Sequence, residues 1–551
     1  MSVVNGTRQN TALRNELIIG WDSVQIIGAE WRWLIIVGGF LVVLAFLPLL
    51  WLTLTVDPQW QFMGTLHNFW DGGSYFSKMQ LGYEGNWLVT FQHTAEPHSG
   101  ALIQTLYPLL GHISRWTSIP ILVLFHVARA FAALFMYTAI YLLGAVVWSR
   151  ISTRRLFFLM TALGAGFGWI LALALGVIDF PDFTLIPEAF PFYSTLMNVH
   201  FPLTIGCLAL LAGLLILALR PGVSQTHSLQ YGWLVALCLS LIIGFLYPQA
   251  MVPVSAALVL FTGIVLLGER KLPLYLIRYC AAIILPLIPL AVYLGLVISG
   301  NPAMQVWNRQ NVTAAPNPLY FLLGFGLPLI IALPGILRAV RRFEQDGDRF
   351  MLLWLLCIIA FVYLPSNIQR RFSVGIMIPI AYFAVRALQD FWYPRLKRRV
   401  KRLFIVAVLG ISMISPLLVL VLPVLPTARA PEQASGILLE ADYTRAFDWL
   451  SRRGGDSVVL AAPFVSAWLP GYTGMRVIYG HPYETLNART KERQVEAWYA
   501  AESGDVCRQL LDENNVRYVL LGPQEMRLGA GACIENLRRI AQFGDVTIYG
   551  A

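Results

Sequence analysis

The sequence predicts a polytopic α-helical membrane protein that carries a C-terminal α/β domain outside the membrane. Three observations predict it. Of 551 residues, 57% are hydrophobic and only 13% are charged, whereas a soluble globular chain holds roughly 25% charged residues. Apolar runs of roughly 20 residues, the length that crosses the hydrocarbon of a bilayer, recur up to about residue 425. From about Thr427 the composition turns to that of a soluble domain.

The runs lie near 33–55, 119–148, 156–178, 201–219, 229–247, 250–268, 274–298, 319–338, 350–365, 372–390 and 403–425. That makes about eleven spans, with the proline-interrupted stretch 229–298 the hardest to divide. No signal-peptide pattern precedes the first run, so residues 1–32 read as a cytoplasmic N-terminal segment ahead of a true span. Basic residues set the orientation. Arg150, Arg154 and Arg155, then Arg270, Lys271 and Arg278, then Arg338, Arg341, Arg342 and Arg349, then "YPRLKRRVKR" (393–402) all fall in one set of loops. With the N-terminal segment this set holds about twenty Lys and Arg against about five in the other, which makes it cytoplasmic. The net charge of +10 is therefore a topological signal, and no aromatic-interleaved basic face of the nucleic-acid type accompanies it.

An odd number of spans places residues 427–551 outside. Segments "DSVVLAA" (456–462), "RVIYG" (476–480), "VRYVLLG" (516–522) and "DVTIYGA" (545–551) read as strands. "DYTRAFDWLSRR", "ARTKERQVEAWYAAE" and "DVCRQLLDENN" read as amphipathic helices between them, a small α/β layer domain. Of the six cysteines, Cys207, Cys238, Cys280 and Cys357 fall in apolar spans as small hydrophobes. Cys507 and Cys533 lie in the external part, where they either bridge or stay free.

Three external segments hold the candidate chemistry. The first loop, 56–118, contains "HNFWDGGSYFSKMQLGYEGNW" (67–87) and then "FQHTAEPHSG" (91–100). Asp71 there is either a helix N-cap with Gly72 and Gly73 easing the turn, or a catalytic carboxylate. Tyr75 and Lys78 share its face if the stretch is helical. His93, Glu96 and His98 are ligand types in one short loop and could hold a divalent metal, although Pro97 breaks any helical spacing; acceptor contacts or loop hydrogen bonds are the alternative. The second segment, "DFPDFTLIPEAFPFYSTLMNVH" (179–200), brings Glu188 and His200, facing either a cavity or the interface. The third, "PSNIQRR" (365–371), puts Arg370 and Arg371 on the side that the charge rule disfavours. His126 and Arg129 lie within the second span, where a guanidinium must meet a partner or a wet cavity: either a donor phosphate or an acid. His481, in "GYTGMRVIYGHPYET", is either a ligand contact or part of a turn set by Gly480 and Pro482.

These parts suit sugar transfer. A carboxylate can take the proton of an acceptor hydroxyl, and paired arginines can stabilise a departing phosphate. One long first external loop with an Asp soon after the first span, about eleven spans and an external C-terminal domain together resemble the GT-C superfamily. "FWDGGSYFSKMQLGYEG" followed by "EPHSGALIQTLYPLLG" is similar to the first-loop pattern of its bacterial members. The resemblance implies a GT-C-like fold in a bacterial inner or plasma membrane and a polyprenyl-phosphate-linked sugar as donor. Acceptor and cofactor are left open, with no cofactor certain and a divalent metal possible. By position, Asp71 matches the acid that such enzymes use as base or acceptor-orienting group; inversion follows from a single displacement. Gly72 after Asp71 departs from the Asp-Glu pair of O-mannosyltransferases, and no WWD-type signature of oligosaccharyltransferases is present. A transporter or flippase of lipid-linked glycans would show charges along several spans and related halves. A non-enzymatic assembly or sensor protein would use the C-terminal domain to bind.

Overall fold

The structure, a computed structural model, describes residues 26–176, 178–218, 231–270, 272–343, 347–500, 505–529 and 532–551. Lys271 and the expected N-terminal segment up to residue 25 lie outside the described residues. Within them, eight helical stretches are long and apolar enough to cross a membrane: Gly28–Thr55, Ile121–Val147, Ile151–Leu175, His200–Ala218, Pro248–Gly268, Leu274–Gly300, Pro318–Arg342 and Arg398–Val421. The other three expected spans are the shorter helices Gly232–Leu246, Gly347–Val362 and Met377–Ala387. The last is short because the apolar run 372–390 enters through a 3-10 turn, Gln369–Ser373, and leaves through a wide π turn, Leu388–Trp392.

The chain divides into two compact units. The first comprises residues 1–45, 129–292 and 313–420. Its stretch Ile151–Leu175 is broken between Leu163 and Gly168, where buried Asp182 Oδ2 accepts the Gly166 and Gly168 N–H groups at 3.0 and 3.2 Å. The Gly168 N–H is an orphan donor of a helix start, satisfied by a side chain. Arg154, expected in a cytoplasmic loop, is buried instead. Its Nη1 lies 2.9 Å from Glu30, which also accepts the Tyr141 hydroxyl at 2.6 Å.

The second unit comprises residues 46–128, 293–312 and 421–551. The segment after the first span and the C-terminal segment thus fold as one body, although more than 300 residues separate them. Strand β1 (Trp60–Phe62) pairs antiparallel with β2 (Leu438–Glu440). The helix Phe69–Tyr83 packs closely on the helices Leu106–Thr117 and Pro463–Thr473, and glycine permits the approach. A Cβ on Gly73 would lie 2.0 Å from the Ala467 carbonyl oxygen, and one on Gly111 1.9 Å from that of Met79. The expected strands appear as β3 (Val458–Leu460), β4 (Arg476–Val477), β5 (Val516–Leu521) and β7 (Val546–Gly550). With β6 (Arg538–Phe543) they form one sheet in the order β4-β3-β5-β7-β6, parallel among β3, β4 and β5 and antiparallel beyond. Trp498 and Tyr499, fully buried, fill its core. Cys507 and Cys533 are bonded, tying the helix Asp505–Glu513 to the turn Ala532–Ile534.

Candidate active site

In the second unit, Asp71 sits in the first turn of the helix Phe69–Tyr83. The N-cap is Asn68, not Asp71. Asn68 adopts φ 47°, a left-handed conformation that its short polar side chain tolerates. Its Oδ1 accepts the Asp71 N–H at 3.4 Å, and its Nδ2 donates to Asp71 Oδ2 at 2.5 Å. A carboxylate in the first turn is also favoured by the helix dipole. Gly72 and Gly73 are helical and do not make a turn; they let Thr65 and Ala467 approach.

The turn 480–485 faces this helix. Thr485 Oγ1 accepts the N–H groups of Gly480 and His481, each at 3.1 Å, and donates to the His93 carbonyl at 2.5 Å. Gln310 Nε2 holds the carbonyls of Tyr483 and Thr485 at 2.6 and 2.5 Å. So anchored, His481 directs Nε2 at Asp71 Oδ1, 3.3 Å away, while its Nδ1 accepts the N–H groups of Tyr483 and Glu484 at 3.0 and 3.1 Å. An imidazole nitrogen that accepts two N–H groups carries no proton, so in the neutral ring the proton is on Nε2 and is donated to Asp71. His481 is buried, whereas the Asp71 side chain is 38% exposed.

One and two turns beyond Asp71 on the same face lie Ser74 and Lys78. Both meet Glu484: Lys78 Nζ at 2.5 Å and Ser74 Oγ at 2.8 Å from its Oε1. Burial alone would raise the Glu484 carboxyl; the Lys78 charge overrides it and holds the group well below its ordinary range. His93 donates Nε2 to the Ala467 carbonyl at 3.0 Å and turns Nδ1 to Glu484 Oε2 at 3.6 Å. Burial lowers its pKa, with Glu484 pulling the other way.

A second polar cluster lies in the first unit. Glu188 is buried in the turn Pro187–Ala189, and its carbonyl accepts the Gly375 N–H at 3.2 Å. Burial raises its carboxyl, opposed by the charges of Arg370 and Arg371 and by a hydrogen bond from Tyr247. The His200 ring stacks on Tyr247 with centroids 5.9 Å apart. Arg129, in the same unit, is buried, its Nη1 donating to the Leu196 carbonyl at 3.0 Å.

No family model and no curated protein matches the sequence, but solved structures match its fold. The apo oligosaccharyltransferase of Archaeoglobus fulgidus is 12% identical, with 89% of this chain and 69% of that one covered and a TM-score of 0.52. ArnT from Cupriavidus metallidurans, bound to undecaprenyl phosphate, is 11% identical over 95% and 98% of the two chains, with a TM-score of 0.53. The mycobacterial arabinofuranosyltransferase AftD is 15% identical, with a TM-score of 0.50, and this chain spans 40% of its length. All three are glycosyltransferases of one membrane architecture. The fold is that of the GT-C superfamily.

On this GT-C fold the residues singled out in the sequence fall in both units. Asp71, Lys78, His93 and His481 gather in the second unit, and Glu188, His200, Arg370 and Arg371 in the first. Tyr75 turns into the core, stacked on Tyr107 with centroids 4.3 Å apart. His93, Glu96 and His98 do not form a metal set. His98 bridges the Phe91 N–H and the Glu96 carbonyl, while Glu96 takes Thr94 and Lys491. Among the described residues no three His, Cys, Asp or Glu converge on a possible metal position. His126 packs edge-on against Phe46 and Phe125. Residues that sequence reasoning missed are Asn68, Ser74, Glu484, Thr485 and Gln310 around Asp71, and Tyr247 beside Glu188. The signal for two of them was present: "HPYET" sets His, Glu and Thr at i, i+3 and i+4.

Proposed function

We propose that the protein is an inverting glycosyltransferase that moves a sugar from a polyprenyl-phosphate donor to an acceptor at the external membrane face. The GT-C fold supports the class, and two of the matched structures carry such lipids: ArnT with undecaprenyl phosphate, and the archaeal oligosaccharyltransferase AglB with dolichol-phosphate and an inhibitory peptide. The observation that carries the proposal is Asp71 itself. Its carboxylate is open to solvent, while Asn68 and His481 each engage one of its oxygens.

Asp71 orients the acceptor hydroxyl and takes its proton as the new glycosidic bond forms. The C1–phosphate bond of the donor breaks on the opposite face, so the configuration inverts. Arg370 and Arg371 receive the departing phosphate, whose growing charge matches fixed guanidinium donors. Glu188 and Tyr247 set the field around that pair. The C-terminal domain selects the acceptor. The N-terminus is cytoplasmic and residues 427–551 are external, which the Cys507–Cys533 bond supports, since disulfides persist in oxidising compartments.

The test is turnover of a polyprenyl-phosphate sugar by the purified protein in detergent. Sugar transfer, or slow donor hydrolysis without acceptor, is expected and should vanish in Asp71→Asn while the melting temperature holds. Unchanged turnover in that variant would exclude Asp71 as the base.

A further inference from the structure

On the basis that Asp71 handles the acceptor hydroxyl, we propose that His481 is a positioning residue for that reaction: its Nε2–H fixes the Asp71 carboxylate through a loop clasped to the first-loop helix at two points. The clasp is "HPYE" (481–484). At one end His481 meets Asp71 at 3.3 Å; at the other Glu484 meets Lys78 at 2.5 Å and Ser74 at 2.8 Å. Asp71, Ser74 and Lys78 form one face of the helix, so both contacts grip a single rigid element.

Three features separate this from incidental packing. The proton of His481 is committed, because Nδ1 is occupied by two backbone N–H groups and only Nε2 can donate. The donor is fully buried, while the carboxylate that receives it remains open on its other side. The one cation on the same helix face, Lys78, is bonded to Glu484 and Ser74, so Asp71 is oriented by an imidazole and an amide and not by an ammonium group. A neutral donor fixes direction without the strong charge pairing that would blunt a base.

His481→Phe keeps ring volume and removes the N–H, and His481→Gln restores an amide N–H near the Nε2 position. Donor turnover and acceptor transfer by the full-length protein in detergent, measured beside Asp71→Asn, give the answer. The expected result is a loss of about 10- to 100-fold in kcat for His481→Phe at little changed KM, smaller than the loss from removing the base itself, with most of it recovered in His481→Gln. Nitrogen NMR of histidine-labelled protein, with His481→Gln as the assignment control, should show the Nε2–H tautomer. Near-normal kcat in His481→Phe, with Asp71→Asn inactive, overturns the positioning role and leaves the base in place. Equal losses in both His481 variants with lowered melting temperatures reduce His481 to loop packing and also overturn it. An active Asp71→Asn removes the base and the positioning role together.

Discussion

Lys78→Met is the sharpest probe of the body that carries Asp71. In the wild type Lys78 is 1% exposed and Glu484 7%, and their charged atoms are 2.5 Å apart. Removing the ammonium leaves a buried carboxylate whose remaining neighbours are the Ser74 hydroxyl at 2.8 Å and His93 Nδ1 at 3.6 Å. Breaking one partner of such a pair costs about 3–5 kcal/mol, because the remaining charge is uncompensated. At about 2–4 °C per kcal/mol for bodies of roughly 150–250 residues, the melting temperature should fall by about 6–20 °C. Lys78→Met with Glu484→Leu, which removes both charges, should regain more than half of that loss. The pH dependence follows from the depressed Glu484 carboxyl: its contribution is present above the ordinary value of 4.5 and fades as pH falls through the folded-state value. In Lys78→Met burial raises the carboxyl unopposed by the ammonium, so the gap between wild type and variant should begin to narrow above the ordinary 4.5 as pH falls, and go on narrowing below it. Thermal unfolding in detergent at one fixed scan rate measures this series. A Lys78→Met melt equal to wild type, or a double variant as unstable as the single, would refute the burial argument.

Glu525 is fully buried beside Tyr443 and the Ala462 and Gly522 N–H groups, and burial pushes its carboxyl up to about 7. Between the ordinary 4.5 and about 7 the folded chain holds a proton that the unfolded chain has released, so this residue's contribution should decline as pH rises across that window. Glu525→Gln should flatten the decline in melts taken from pH 5 to 8. Gly73→Ala should cost about 1–3 kcal/mol, since its Cβ would meet backbone and not a yielding side chain; a melt within error of wild type would contradict the close approach. Cys507 and Cys533 close a loop with a sequence separation of 26, so replacing both by Ser should cost about 2–4 kcal/mol. In the wild type, thiol labelling of the unfolded chain should count four thiols before reduction and six after; six in both conditions would rule out the bond.

The architecture was legible because the bilayer writes it into composition. Spans show as unbroken apolar runs, and all eleven expected runs are helical, three of them too short to qualify by length alone. Four strands of the C-terminal sheet could be read from short β-branched runs. The missed strand β6 is "RRIAQF", which lies at the edge of the sheet with its Arg residues exposed, and no alternating apolar face announces such a strand. The missed helix Pro463–Thr473 is buried over most of its length and carries Pro470 and Gly471, so it shows neither an amphipathic stripe nor a helix-like composition.

The site was legible only in halves. Asp71 stands out because a carboxylate among aromatics and glycines at a span exit has few structural reasons to be there. Glu484 did not, because what makes it significant is a partner 406 residues away. Local pattern cannot state such a pairing. The glycines beside Asp71 illustrate the same point. In sequence, "DGG" signals a turn, yet in the fold both glycines are helical and serve the approach of Thr65 and Ala467. The second close approach is to a segment that follows the last span. A motif that looks like loop chemistry is therefore packing chemistry, and it lets the C-terminal segment seat itself on the helix Phe69–Tyr83. That seating delivers His481 to Asp71. It follows that changes in the C-terminal domain that leave Asp71 untouched, such as Thr485→Val at the base of the turn, should impair turnover through the carboxylate's orientation before they unfold the protein.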